Sequence, residues 1–261
     1  MDLGIADDAA IVAASTSGLG KATATALARE GANVVVNGRD QEKLDTIVAE
    51  LRSVGSGDIV GKQADLTDAD DISDLVEAAV DEFGGLDHLI TNAGGPPSGP
   101  FMEMNDEEWY DAFDLLVMSA VRLVREAASH LKEGGGTITN ITSMTVKEAA
   151  DGLILSNSVR MSVIGLEKTL SKEFAPDVRV NAVLPGSHET DRTRELVTQG
   201  IERGDYEDYE SGLKERYDDI PLGIGDPMNL GDTVAFLCSE RASNITGVAL
   251  PVDGGRSHSN L

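Results

Sequence analysis

Short apolar runs alternate with longer stretches of helical period along nearly the whole chain. The first run, Ala10 to Ala14, has the length and composition of a buried parallel strand. It passes through the small polar turn Ser15-Thr16-Ser17 into an alanine-rich helix, Leu19 to Glu30, ended by Gly31. NVVVNG at 33–38 reads as a second strand. Arg39-Asp40 opens a helix through about Arg52 that places Leu44, Ile47, Val48 and Leu51 on one face. Asp58 to Ala64 predicts a third strand, Asp68 to Phe83 a helix, and Leu86 to Thr91 a fourth strand. Asn105 or Asp106 caps a helical stretch running to about Lys132, followed by a fifth strand, Thr137 to Thr142. Ser156 to Phe174 reads as one long helix, Val178 to Leu184 as a sixth strand and Val248 to Val252 as a seventh.

Strands alternating with helices imply right-handed crossovers and a parallel sheet covered on both faces. The expected fold is therefore a single-domain, doubly wound α/β structure of the Rossmann type, spanning 1–261 with about seven strands. Ligands on such sheets bind beyond the carboxyl ends of the strands, where strand order reverses. The turns at 14–20, 37–39, 65–66, 92–95, 142–143 and 185–190 all fall at such ends, so they should converge on one crevice. At the first of them Gly18 and Gly20 keep side chains off the start of a helix. Its free N–H groups and dipole favour a pyrophosphate.

Charge narrows the partners. The chain carries 46 acidic and 21 basic residues, a formal net charge of −25. Such a surface repels nucleic acid and anionic membranes, which excludes both as partners. At multimolar salt the self-repulsion is screened, so the balance points to a salt-accumulating halophile. Cys238 is the one cysteine, which rules out an internal disulfide, and VAFLCSE around it suits a small buried hydrophobe. The N-terminal residues show no secretory pattern and no run approaches a membrane span, so a cytoplasmic protein is expected. No metal-ligand cluster stands out.

Taken together, the turns resemble those of the short-chain dehydrogenase/reductase family. Ala13 to Gly20 is similar to its T-G-x-x-x-G-x-G cofactor turn, with Ala13 and Ala14 standing in the Thr and Gly places. Asp65-Leu66 matches the adenine-contacting position, Asn92-Ala93-Gly94 the N-A-G turn, and TNITS at 139–143 the strand carrying the active-site serine. Pro185-Gly186 with Thr190 matches P-G-x-x-x-T, and Val252 to Gly255 the C-terminal signature. The resemblance implies cofactor contacts from Ala14, Ser15, Ser17, Gly18, Leu19, Gly20, Asp65, Leu66, Asn92, Ala93, Gly94, Arg160, Pro185, Gly186 and Thr190. Asn37-Gly38 replaces the acidic residue that NAD-preferring members carry, and Arg39 follows with a cation for a 2′-phosphate. NADP(H) is favoured, with NAD(H) the alternative.

The same resemblance predicts an altered catalytic set of Ser143, Ser156 and Arg160. With Ser143 as the family's serine, the tyrosine and lysine places of Y-x-x-x-K fall on Ser156 and Arg160, and the asparagine place on Leu116. A serine hydroxyl is far too weak an acid to replace a phenol, whose pKa is about 10. Other donors could come from Tyr206, Tyr209 or Tyr217 in the lid, roughly 186–228, or from Lys147, Glu148 or His188, each ordinarily a solvated side chain. Two functions follow. One is an NADP(H)-dependent oxidoreductase acting on a carbonyl or secondary alcohol of a small molecule, similar to a 3-oxoacyl thioester reductase. The other is a catalytically impaired nucleotide binder acting as sensor or subunit. The resemblance also implies a homotetramer, or a dimer, through the helices at about 106–132 and 152–175.

Overall fold

The computed structural model describes residues 2–259, Arg192 by its backbone only. Seven strands are present among them: β1 (Ala9–Val12), β2 (Asn33–Gly38), β3 (Ile59–Gln63), β4 (His88–Thr91), β5 (Thr137–Ile141), β6 (Arg179–Pro185) and β7 (Ala249–Val252). They form one fully parallel sheet in the order β3-β2-β1-β4-β5-β6-β7. Strand order reverses between β1 and β4, and that is where the nucleotide-type turns gather.

Successive residues of a strand face opposite sides of a sheet, and the core divides accordingly. Ala10, Val12, Val34 and Val36 join one apolar cluster, while Ile11 and Val35 join the other. Helices α1 (Gly18–Arg29) and α2 (Gln41–Arg52) cover the first face, with α10 (Pro227–Cys238) beside them. α3 (Ala69–Phe83), α5 (Ser119–Gly134) and α7 (Met161–Glu173) cover the second. α1 and α10 lie nearly in backbone contact: a Cβ at Gly231 would stand 2.5 Å from the Ala22 carbonyl oxygen.

Three details depart from the sequence pattern. β1 stops at Val12, and Ala14 turns at φ +48°, so the first apolar run ends in a left-handed bend rather than as strand. The stretch after Asn105 is not one regular helix. α4 (Asp106–Phe113) passes through a π-helical turn, Asp114–Met118, before α5 begins. That wider turn shifts the helix face by one residue. Likewise the expected helix at 156–174 starts earlier, as α6 (Ile154–Val159), and breaks at Arg160 before α7. In the lid two further helices, α8 (Asp191–Arg203) and α9 (Tyr209–Tyr217), stand on their own apolar cluster of Val197, Tyr217 and Ile220.

Candidate active site

A cleft of about 1310 Å³ lies along the carboxyl ends of the strands. Its first part is built largely from backbone. α2, α3, α4, α8, α9 and α10 each begin with a side chain accepting a backbone N–H, but the N-cap of α1, Ser17, makes no such bond. No acidic residue occupies the first turn of α1 either. The first N–H groups of α1 therefore have no side-chain cap, as is also the case at α5, α6 and α7, and at α1 they open onto the cleft, where helix starts of this kind suit an anion. Ala14, Ser17, Gly18 and Leu19 line the cleft at this point.

Two residues of the same turn support it from behind. Ser15 is fully buried, its Oγ donating to the Val12 carbonyl and accepting from Asn37 N–H, and its own N–H donating to the Asn37 carbonyl. With its donors used inside the fold, Ser15, expected from the sequence as a cofactor contact, lies behind the residues that line the cleft. Gly20 does not line it either. A Cβ there would stand 2.3 Å from the Ala14 carbonyl oxygen and 2.8 Å from Asn92 Nδ2, so this glycine permits a close approach between turn and helix.

Asn37 ties three strand ends together. Its Oδ1 accepts from Ala14 N–H at 2.6 Å and its Nδ2 donates to the Ala64 carbonyl at 3.0 Å. Sequence reading treated it as a missing acid and overlooked this bracing role. Asn92 Nδ2 donates to the carbonyls of Ala13 and Ala14, both at 3.2 Å, fixing the turn after β4 against the turn after β1. Ala93 and Gly94 line the cleft next to it. Arg39 is exposed and lines the cleft after β2, and Asp65 and Leu66 line it after β3. The Asp65 carboxyl is held below its usual range, chiefly by hydrogen bonds from the N–H and hydroxyl of Thr67 and less by the charge of Arg39.

The second part relies on side chains. Ser143 lies two residues past the end of β5 and accepts from Thr145 N–H at 3.2 Å. Thr145 Oγ1 lies 3.0 Å from Ser156 Oγ, so three hydroxyl residues follow one another along the wall. Ser156 is buried yet lines the cleft, as does Arg160, whose Nη1 donates to the Thr142 carbonyl at 3.4 Å. Leu116 takes no part: it is buried with Ala112, Leu155 and Val159, while its neighbour Leu115 reaches the cleft. Pro185, Gly186 and Thr190 line the cleft after β6. Thr190 also caps α8, and its methyl group would meet a Cβ on Gly18 at 3.7 Å, so this loop closes onto the α1 turn.

Of the alternative donors, Tyr217, His188 and Glu148 line the cleft, whereas Lys147, Tyr206 and Tyr209 do not. Tyr217 and His188 are buried instead of solvated, at 7% and 4% exposure. Burial raises the Tyr217 phenol above its usual range, opposed by the Arg216 guanidinium, and burial lowers the His188 imidazole. Arg256 and Ser257, beyond the last strand, also line this part. Sequence reading named neither, although both follow directly on the Asp253-Gly254-Gly255 turn.

The sheet order, the bare start of α1 and the loop after β6 fit a dinucleotide laid across the switch point. Comparison with known proteins agrees. Residues 13–257 match the family model described as enoyl-(acyl carrier protein) reductase. Human dehydrogenase/reductase SDR family member 4 is 34% identical over 254 residues, covering 96% of this chain and 88% of the relative. The 3-oxoacyl-[acyl-carrier-protein] reductase FabG of Staphylococcus aureus is 33% identical over 251 residues, 94% of this chain and 96% of its own. Among solved structures, L-sorbose reductase from Gluconobacter frateurii, complexed with NADPH and L-sorbose, superimposes with a TM-score of 0.94 at 30% identity, covering 99% of this chain and 100% of that one. A 7α-hydroxysteroid dehydrogenase complexed with NADH and 7-oxo glycochenodeoxycholic acid gives 0.87 at 28% identity, covering 97% and 96%. The chain belongs to the short-chain dehydrogenase/reductase family, whose members are oxidoreductases.

Proposed function

We propose that this protein is an NADP(H)-dependent oxidoreductase acting on a carbonyl or secondary alcohol, with a 3-oxoacyl thioester as the first substrate to try. The observation that carries the reading is the single continuous cleft, which joins the uncapped start of α1 and Arg39 at one end to Ser143 at the other. A bound nicotinamide would exchange hydride with the substrate carbon. The first turn of α1 would hold the pyrophosphate, Asp65 and Leu66 the adenine, and Arg39 a 2′-phosphate. Arg160 would hold the ribose, and the loop of Pro185, Gly186 and Thr190 the carboxamide. The NADPH-bound sorbose reductase supports the cofactor choice, and the NADH-bound steroid dehydrogenase keeps NAD(H) as the alternative.

Ser143 would donate a hydrogen bond to the substrate oxygen. Ser156 and Arg160 stand in this reading where the family has tyrosine and lysine, so the proton comes by another route, from water reaching the cleft beside the paired Thr145 and Ser156 hydroxyls. The acid excess supports operation in molar salt inside the cell. Exposed Tyr110 and Phe113 on α4 and Met161 on α7 support assembly through these helices. The test is turnover of a carbonyl panel with NADPH in molar KCl. Wild type should reduce at least one 3-oxoacyl or simple ketone substrate, and Ser143→Ala should abolish that reduction. NADPH binding with no turnover anywhere would favour the nucleotide-binding role, and turnover indifferent to Ser143→Ala would refute the site.

A further inference from the structure

Beyond β7 the chain turns back to the cleft. The segment is fixed from within: Asp253 Oδ1 accepts from Gly255 N–H at 3.0 Å and Oδ2 from Ser257 N–H at 2.8 Å. It is fixed from across the cleft by Glu148, whose Oε1 accepts from Ser257 Oγ at 3.0 Å and from His258 N–H at 2.6 Å. The Gly254 carbonyl accepts from Leu222 N–H at 3.1 Å, at the far end of the lid. Between these anchors stands Arg256, which touches three separate groups. Its Nε donates to Asp219 Oδ2 at 3.1 Å and its Nη2 to the Arg216 carbonyl at 3.2 Å, both in the lid. Its Nη1 donates to Ser187 Oγ at 3.1 Å, in the loop after β6.

We infer that Arg256 is a positioning residue for the substrate end of the cleft, stapling the end of α9 and the residues after it to the loop after β6 and making Asp253, Arg256 and Ser257 a wall of the substrate site. The inference rests on the oxidoreductase reading. The ion pair with Asp219 is not what matters: its partners are 37% and 61% exposed, and pairs of that kind contribute little and fade in salt. The weight lies in the fork. A planar guanidinium serves three acceptors at fixed angles, and the two hydrogen bonds to Ser187 and Arg216 survive where charges are screened. Loss of the staple frees α8 and α9 relative to the Pro185–Thr190 loop. Tyr217, the residue after Arg216, would then lose its place in the cleft.

The experiment compares wild type, Arg256→Gln and Arg256→Lys in molar KCl by three readouts: lid cleavage within 186–228 by a dilute protease, NADPH binding by fluorescence, and kcat and KM on a substrate from the carbonyl panel. Arg256→Gln should speed lid cleavage and raise KM roughly tenfold, as expected from losing hydrogen bonds to a charged group. It should leave kcat and NADPH affinity within about threefold of wild type. Arg256→Lys should restore only part of the loss, because an ammonium lacks the fork. Lid cleavage and KM unchanged in Arg256→Gln would overturn the staple, and so would NADPH binding lost in step with lid protection, which marks a general loss of fold. Failure of wild type to bind NADPH would overturn the oxidoreductase reading instead. Lid cleavage needs no substrate and decides the staple separately.

Discussion

The two parts of the cleft are built on different principles. At the start of α1 the proposed ligand contacts are backbone N–H groups that no side chain caps, and side chains such as Asn37, Asn92 and Ser15 act from behind as braces. Residue identity there is loosely specified, so Ala13 and Ala14 occupy a turn where the family carries Thr and Gly without opening it. At β5 and α6 the chemistry hangs on side chains, and a change of identity changes the reaction. Ser156 and Arg160 line the cleft here, and in the proposed reading, where they take the tyrosine and lysine places, they offer no acid near neutrality. Two carboxylates differ as sharply. Asp65, in the first part, is held in its charged form by Thr67. Glu167, on α7, is buried, has an oxygen with no hydrogen-bond partner among the described residues, and is pushed up to about 7.

The largest effect should come from rewriting the second part. Ser156→Tyr with Arg160→Lys should raise carbonyl reduction by about 10²–10⁴-fold, the worth of a positioned general acid. Unchanged turnover would show that a different donor already works. Adding Leu116→Asn should lower the melting temperature sharply, because a polar group placed among Ala112, Leu155 and Val159 is buried without a partner.

Next is Glu167. Its pKa is raised by desolvation, with Lys168 opposing, so the protonated form is the one the fold favours. Stability from this group is full below the unfolded value of about 4.5 and is lost as pH rises through about 7. Glu167→Gln should therefore stabilise the protein above pH 7, by on the order of 2–3 kcal/mol, and do little at pH 4. Denaturant midpoints at the two pH values in molar KCl measure it. A gain equal at both would sink the explanation.

A smaller and more selective change tests the first part. Arg39→Asp should cost NADPH about 1.5–3 kcal/mol of binding and leave NADH nearly unaffected. Equal affinities for the two in wild type would remove Arg39 from cofactor choice. The smallest effect concerns Glu148, whose carboxyl is held below its usual range, first by the Ser257 hydroxyl. Its clamp on the tail should hold at neutral pH and weaken only as pH falls below the ordinary carboxylate range. Amide exchange at Ser257 and His258 would show this. Loss of their protection already at pH 6 would contradict it.

Much of this was legible in the sequence, for reasons that can be named. Strand β2 has the bounds expected of it because Val34, Val35 and Val36 are buried on both faces and Gly38 ends the run. The capped helices were marked by Asp40, Asp68 and Asn105, side chains that do accept backbone N–H groups. What escaped had no periodic signal. A π-helical turn adds one residue to a helix without altering its composition, so the shift that puts Leu115 in the cleft and Leu116 in the core does not show. Ser15 and Gly20 lie behind the cleft lining, because turn motifs mark positions without saying which way they face. The burial of Tyr217 and the role of Arg256 escaped because both lie far in sequence from the groups they meet, in a lid and a tail whose polar composition hides a local core.

The most direct test is a fluorescence titration of the wild-type protein with NADPH and NADH in molar KCl, beside Gly20→Val. Saturable binding of one NADPH per chain, tighter than NADH and absent from a folded Gly20→Val, is the expected result, since a side chain at 20 meets the Ala14 carbonyl. A wild-type protein that binds neither nucleotide, or a Gly20→Val protein that binds both as well as wild type, would contradict a dinucleotide site at the start of α1.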